Sequence, residues 1–147
     1  VSSISGEVFH QAWVGRGMAV GDLDNDGRTD AVVTTNGGSA YVLHNETPTS
    51  NHWITLELRG HRSNRDGIGS VIQVTTAHGS QWATATTSSS YLSASDRRVH
   101  FGLGIDKGVQ TIEVQWPSGI RQVLRDIQGD QFLMVEEPVN GRVTSLF

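Results

Sequence analysis

The clearest signal in the chain is alternation. Across residues 53–59, Ile54, Leu56 and Leu58 alternate with Thr55, Glu57 and Arg59, the period of two that puts apolar side chains on one face of a β-strand. Val99, Phe101 and Leu103 repeat it, as do Ile112, Val114 and Trp116, so Trp116 is expected in the core. Further strands are predicted over residues 18–20, 31–35, 40–43, 70–76, 81–86, 121–124 and 131–136, separated by turn-forming stretches such as Asn36-Gly37-Gly38, His78-Gly79 and Pro117-Ser118-Gly119. Roughly ten short strands with almost no helical periodicity predict an all-β protein.

The pattern breaks at Thr47-Pro48-Thr49-Ser50-Asn51, which has no apolar residue and holds one of the three prolines. This stretch, 47–51, is expected to link a first segment, 1–46, to a compact β domain, 52–137. A tail follows at 138–147, with Val143, Leu146 and Phe147 available to dock. Residues 1–15 hold Ile4, Val8, Phe9, Trp13 and Val14 without a place in the alternation and are read as a candidate arm.

A chain of 147 residues is long enough for one domain that buries roughly 68–70% of its unfolded surface. Its net charge of −4 is concentrated near the start, where residues 1–50 carry Arg16 and Arg28 against Glu7, Asp22, Asp24, Asp26, Asp30 and Glu46. No basic footprint for nucleic acid is present, and no apolar run nears the ~18 residues of a membrane-spanning helix. The absence of cysteine removes disulfides, thiolate zinc sites and cysteine nucleophiles. Asn45-Glu46-Thr47 is an acceptor sequon that matters only in a glycosylating pathway, and Asn45 is its candidate glycosylation site.

The acidic cluster has a chemically meaningful spacing. Asp22-Leu23-Asp24-Asn25-Asp26-Gly27-Arg28-Thr29-Asp30 puts carboxylates at loop positions 1, 3, 5 and 9 and glycine at position 6. A hard cation such as Ca2+ takes about six to eight oxygens at about 2.3–2.6 Å, and alternate residues of a tight loop can all turn inward. Gly27 allows the sharp turn, Arg28 is placed to offer its backbone carbonyl, and Asp30 closes the site directly or through water. Two carboxylates ~4 Å apart repel by roughly 4 kcal/mol at an effective dielectric near 20, so a group of four needs a counter-ion. Loop position 12 is Val33 rather than a bidentate glutamate, and Ala31-Val32-Val33 continues as a strand. The loop is therefore no EF-hand but a tie between two strands.

Gly17-Met18-Ala19-Val20-Gly21-Asp22-Leu23-Asp24-Asn25-Asp26-Gly27, Asp30-Ala31-Val32-Val33 and Tyr41-Val42-Leu43-His44-Asn45 together resemble an FG-GAP/VCBS repeat, the calcium-loop blade of integrin-α-like β-propellers. Asn51-His52-Trp53-Ile54, Ser63-Asn64-Arg65-Asp66-Gly67-Ile68-Gly69, Ser90-Tyr91-Leu92-Ser93, His100-Phe101-Gly102-Leu103-Gly104 and Val114-Gln115-Trp116-Pro117-Ser118-Gly119 resemble the ASPIC/UnbV domain. That domain follows such propellers in the cartilage acidic protein family and in many bacterial exported proteins. The two resemblances imply an extracytoplasmic calcium-binding adhesion or interaction module without established enzymology. The chain departs from the family in holding one calcium loop and no second copy, and about three repeats are normally needed before a repeat array is stable. Either the chain is a piece of a longer protein, or the lone blade packs on the second domain or on another chain. Residues 31–35 and 40–43 carry neither charge nor proline, so the edges of such a blade are expected to recruit strands, giving a head-to-tail homo-oligomer or filament into which the arm inserts.

Other constellations carry less. Asn64-Arg65-Asp66-Gly67-Ile68-Gly69 reads as a turn held by local hydrogen bonds of Arg65 and Asp66 rather than as a second ion site. The histidines at 10, 44, 52, 61, 78 and 100 show no i,i+2 or i,i+4 spacing, which argues against zinc. Ser93, Ser95, Asp96 and His100 are hydrolase residue types without a nucleophile-elbow pattern. Glu136 and Glu137, adjacent in a strand, point to opposite faces. No catalytic set is expected. Trp82, with Thr84 and Thr86 on its face, is the candidate ligand platform for a sugar.

The sequence thus reads as an all-β fold, a single propeller-blade-like calcium-loop segment joined to a compact β-sandwich or barrel. Its expected role is that of a Ca2+-binding structural and interaction module of an exported, cell-surface or extracellular protein, with Asp22, Asp24, Asp26, Arg28 and Asp30 as metal ligands. The expected partner is a protein or a second copy. The alternative is a carbohydrate-binding module that uses Trp82.

Overall fold

The computed structural model describes residues 7–10 and 12–139. Residues 1–6 and 11 of the expected arm and residues 140–147 of the expected tail lie outside the described residues. After a short 3-10 turn at Glu7–His10, the strands are β1 Gly15–Gly21, β2 Asp30–Thr35, β3 Tyr41–Leu43, β4 His52–Arg59, β5 Val71–Thr75, β6 Ser80–Thr84, β7 Val99–Gly104, β8 Gly108–Gln115, β9 Arg121–Gln128 and β10 Gln131–Glu136. Every predicted strand is present. β9 runs four residues past its alternating part, because Arg125 and Ile127 find register partners in Thr111 and Val109 of β8. Among the described residues no helix is long and apolar enough to cross a membrane.

The strands form three sheets, ordered β1-β2-β3, β10-β4-β7 and β6-β5-β8-β9. β10 runs parallel to β4, with Gln131 opposite Ile54 and Glu136 opposite Arg59. The second and third sheets share one core: Ile54, Leu56 and Leu58 of β4, Phe101 and Leu103 of β7 and Val135 of β10 lie buried with Ile72 and Val74 of β5, Ile112 and Val114 of β8 and Leu124 of β9. Full burial of each such side chain is worth about 1.5–3 kcal/mol relative to exposure. The result is a two-layer sandwich and not a closed barrel. Trp116 belongs to this core, as its alternation predicts: it is 1% exposed, and its Nε1–H donates to Gln122 Oε1 at 2.9 Å.

Among the described residues, none before Ile54 belongs to that core. The N-terminal sheet is held along an edge instead. The Asp96 N–H donates to the Val20 carbonyl at 2.9 Å, the Val20 N–H donates to Ser95 Oγ at 3.1 Å, and Ser89 Oγ donates to the Met18 carbonyl at 3.3 Å. Gly17 permits this approach, since a Cβ there would lie 2.6 Å from the Tyr91 carbonyl oxygen. The expectation of open edges is corrected at 31–35 and stands at 40–43. Strand β2 is central, paired with β1 on one side and β3 on the other. Residues 89–96 cover β1, which among the described residues leaves β3, Tyr41–Leu43, with the free edge.

Two of the family-like stretches meet at Glu137. Its carboxylate accepts the backbone N–H groups of His61, Arg62 and Ser63 at 2.7–2.8 Å and Ser63 Oγ–H at 2.9 Å, and Ser118 Oγ–H closes on it as well. Glu137 is 1% exposed. Burial works against its ionisation, but the donors from Ser118, Ser63 and His61 outweigh it and bring the pKa down to about 2. The neighbouring Glu136 faces the other way and pairs with Arg59 at 3.2 Å. The turn before β5 is closed by Asn64, whose side chain bonds both the N–H and the carbonyl of Ile68, and by Arg65, whose carbonyl accepts the Gly60 N–H at 2.9 Å.

Candidate metal centre

The acidic loop crosses from β1 to β2, so both of its ends are pinned by strand pairing, down to Gly21 opposite Asp30. Gly27 has φ of 87° and Asn25 φ of 62°, left-handed conformations that glycine and asparagine adopt most readily. Together they fold the chain back on itself and bring carboxylates from both ends of the loop into one place. One carboxylate oxygen each from Asp22, Asp24 and Asp30 lies within 4.8 Å of the others, and Asp24, Asp26 and His44 form a second, overlapping group of the same compactness.

The loop supports its acids unequally. Asp22 is buried and accepts the N–H groups of Asp26 at 3.1 Å and Gly27 at 2.8 Å. Asp30 is buried too, accepting the N–H of Asn45 at 2.8 Å and that of Leu23 at 2.9 Å, with His44 Nδ1 at 3.1 Å. The Asn45 N–H is the foremost cause of a lowered Asp30 pKa, acting with Leu23 and His44 against the opposing effect of burial. Asp26 Oδ1 accepts the Arg28 N–H at 2.8 Å, while its buried Oδ2 lies against the Arg28 guanidinium without an aligned hydrogen bond. Asp24 has the least: its side chain is 49% exposed, and its one ionic neighbour is His44 Nε2 at 3.7 Å.

This donor set fits a hard cation. It is made of carboxylate oxygens, and two of its members are held in place by backbone N–H groups that leave lone pairs free. Asp22, Asp24 and Asp30 would hold Ca2+ there, while Asp26 belongs to the second group with Asp24 and His44. Arg28, expected to serve through its backbone carbonyl, also has a placed side chain: its guanidinium rests on Asp26 and its Nε–H donates to the Asn45 carbonyl at 2.6 Å. His44 was not foreseen from spacing, because it stands 14 residues from Asp30 in sequence and meets it only through the β2–β3 pairing.

The loop does not stand apart from the sandwich. Trp53 of β4 lies directly against Gly27, and its ring meets Phe132 edge-on at 5.0 Å and stacks with His100 at 6.0 Å. Arg98 reaches in from the approach to β7. Its Nη2–H donates to the Asp22 carbonyl at 2.9 Å, its Nη1–H to Asn25 Oδ1 at 2.7 Å and its Nε–H to Asp96 Oδ2 at 2.7 Å, while the guanidinium carbon sits 4.8 Å from the centre of the Phe132 ring. Burial disfavours the Asp96 anion, yet the hydrogen bonds and charge of Arg98 prevail and lower its pKa. Neither Arg98 nor Trp53 has a local sequence signature for this role.

The remaining candidates are placed as follows. Ser95 Oγ is bonded to the Val20 N–H and to Ser89 Oγ, Ser93 Oγ to the Tyr91 carbonyl, Asp96 to Arg98, and His100 Nδ1 to Thr55 Oγ1 at 2.9 Å. Asn45 is half-buried, with Nδ2–H donating to the Thr29 carbonyl at 3.3 Å and Oδ1 accepting the Thr47 N–H at 3.1 Å. Trp82 is 66% exposed, in register with Gln73, which in turn lies opposite Glu113.

Residues 60–142, more than half of the chain, match the family described as ASPIC and UnbV. Cartilage acidic protein 1 of Mus musculus is 27% identical over 135 residues, which are 90% of this chain and 21% of that protein. The chain therefore spans about a fifth of the length of that relative. The acidic loop at 22–30 precedes the stretch matched to the family.

Proposed function

Because the chain belongs to the ASPIC and UnbV family, we propose that it is a Ca2+-binding structural and interaction module of an exported protein, at the cell surface or outside the cell. The observation that carries this reading is the convergence of Asp22, Asp24 and Asp30 within 4.8 Å, with Asp22 and Asp30 buried. A bound Ca2+ would neutralise the carboxylates and tie β1 to β2. Asp22 and Asp30 form the fixed part of the site and Asp24 the part that closes over it. The likeness to a cartilage protein supports the extracellular placing.

The interaction surface in this reading is the open face of the N-terminal sheet. Met18, Val33 and Tyr41 form one cross-strand row and Val20, Ala31 and Leu43 the next. None of the six enters the core, and Met18 and Val20 are exposed. Trp13 stacks on Tyr41 at 4.3 Å. An apolar face of this kind takes a protein partner or a second copy. The test is thermal unfolding and light scattering with excess Ca2+ and then with a chelator. The reading expects a higher melting temperature in Ca2+ that the chelator reverses, and it fails if the two curves coincide.

A second reading rests on Trp82. Its exposed ring lies in one cross-strand row with Gln73 and Glu113, and Arg121 pairs with Glu113. An exposed indole beside amide and ionic hydrogen-bonding groups suits stacking on a saccharide ring. Binding to a glycan array that is lost in Trp82→Ala would favour it, and an array without any bound glycan would exclude it.

A further inference from the structure

We propose that Arg98 is a positioning residue for the acidic loop, so that cation binding and the docking of the N-terminal sheet on the sandwich form one coupled equilibrium. The inference rests on the Ca2+ reading above for its ligand, but its structural half stands on contacts alone. Arg98 binds loop position 1 through the Asp22 carbonyl and loop position 4 through Asn25 Oδ1. Those two positions bracket the turn in which Asn25 takes its left-handed conformation. Arg98 is itself fixed by Asp96 on one side and by the Phe132 ring on the other. The Asp96 N–H holds the Val20 carbonyl, two residues before the loop. On the opposite flank Trp53 packs against Gly27.

The loop is therefore gripped at positions 1, 4 and 6 by side chains of the sandwich, from outside the ring of carboxylates. Groups that orient ligands without touching the ion tune metal affinity by about 10–100-fold. Arg98 adds a positive charge beside a cation site, which by Coulomb's law alone weakens binding. Its retention in such a place is explained by geometry: the donors of a planar fork, spread over three nitrogens, reach a carbonyl, an amide oxygen and a carboxylate that stand apart, whereas the three donors of an ammonium radiate from a single atom. Coupling of this kind is reciprocal. Whatever Ca2+ gains from the sandwich, the sandwich gains from Ca2+.

The test uses the whole chain and two variants. Arg98→Lys keeps the charge and loses the fork, and Arg98→Gln removes the charge that opposes the cation. Calorimetric titration with CaCl2 should show both variants binding Ca2+ about 10–100-fold more weakly than the parent. In Ca2+-free buffer, hydrogen exchange should be faster at the Asn25 and Gly27 amides in both variants and unchanged at Ile54 and Val114. Equal or tighter binding in Arg98→Gln together with unchanged loop exchange would overturn the proposal. If the parent itself binds no Ca2+, the reading of the site falls, and the exchange comparison still decides whether Arg98 positions the loop.

Discussion

A side chain at position 27 and the indole of Trp53 cannot occupy the structure together: a Cβ on Gly27 would overlap the ring, with Cδ1 at 2.7 Å. The same glycine has φ of 87°, so the acidic loop is shaped by a residue that must be glycine for two independent reasons. Gly27→Ala is expected to cost about 1–3 kcal/mol through overpacking, with a further penalty from the left-handed backbone. Gly79→Ala, where an added Cβ has nothing within 4 Å, is the control and should stay within about 0.5 kcal/mol. Urea denaturation of both variants checks the pair.

The acids of the loop should separate by role. Asp24 is exposed and has one distant ionic neighbour, so Asp24→Ala is expected to change Ca2+-free stability by less than about 0.5 kcal/mol while abolishing most of the Ca2+-induced shift. Asp30 accepts two backbone N–H groups in a buried position, so Asp30→Ala strands both donors and is expected to cost about 1–3 kcal/mol even without Ca2+. Melting curves with and without chelator distinguish the two. Equal losses in the chelator would refute the division.

Acid should act through Glu137. Its pKa is about 2 in the fold against an ordinary 4.5, so the stability it contributes is full above about pH 4.5 and is lost as the pH falls through about 2. Glu137→Gln keeps the shape and removes the charge that three backbone N–H groups and two hydroxyls share. It is expected to be destabilised near neutral pH by about 1–3 kcal/mol and to lose less on acidification than the parent. Urea midpoints between pH 7 and pH 2.5 test this. Parallel profiles would contradict it.

Much of this architecture is legible in the chain because the signals are local. Ile54, Leu56 and Leu58 alternate, Trp116 follows Ile112 and Val114 at the same period, and Asp22 to Asp30 carries its own spacing. What alternation cannot give is which strands neighbour which. β10 lies parallel to β4 across 77 residues of sequence, and residues 89–96 cap β1 by hydrogen bonds that leave no mark in hydropathy. The expectation of an open edge at 31–35 gives way because β2 is the central strand, which its composition does not reveal, while the edge at 40–43 is free among the described residues. Arg98 and Trp53 stayed hidden on the same account, since their partners Asn25 and Gly27 are near only after the N-terminal sheet is set against the sandwich.

The central claim is that the Asp22–Asp30 loop is a Ca2+ site joined to the sandwich, and isothermal titration of the whole chain with CaCl2 tests it most directly. The expected result is one site with Kd near 10⁻⁴–10⁻³ M, the order of extracellular modules, and about 2.7 kcal/mol of added stability at a free Ca2+ concentration 100 times Kd. Absence of binding heat and of any melting shift at ten millimolar Ca2+, on the order of ten to a hundred times that Kd, would contradict it.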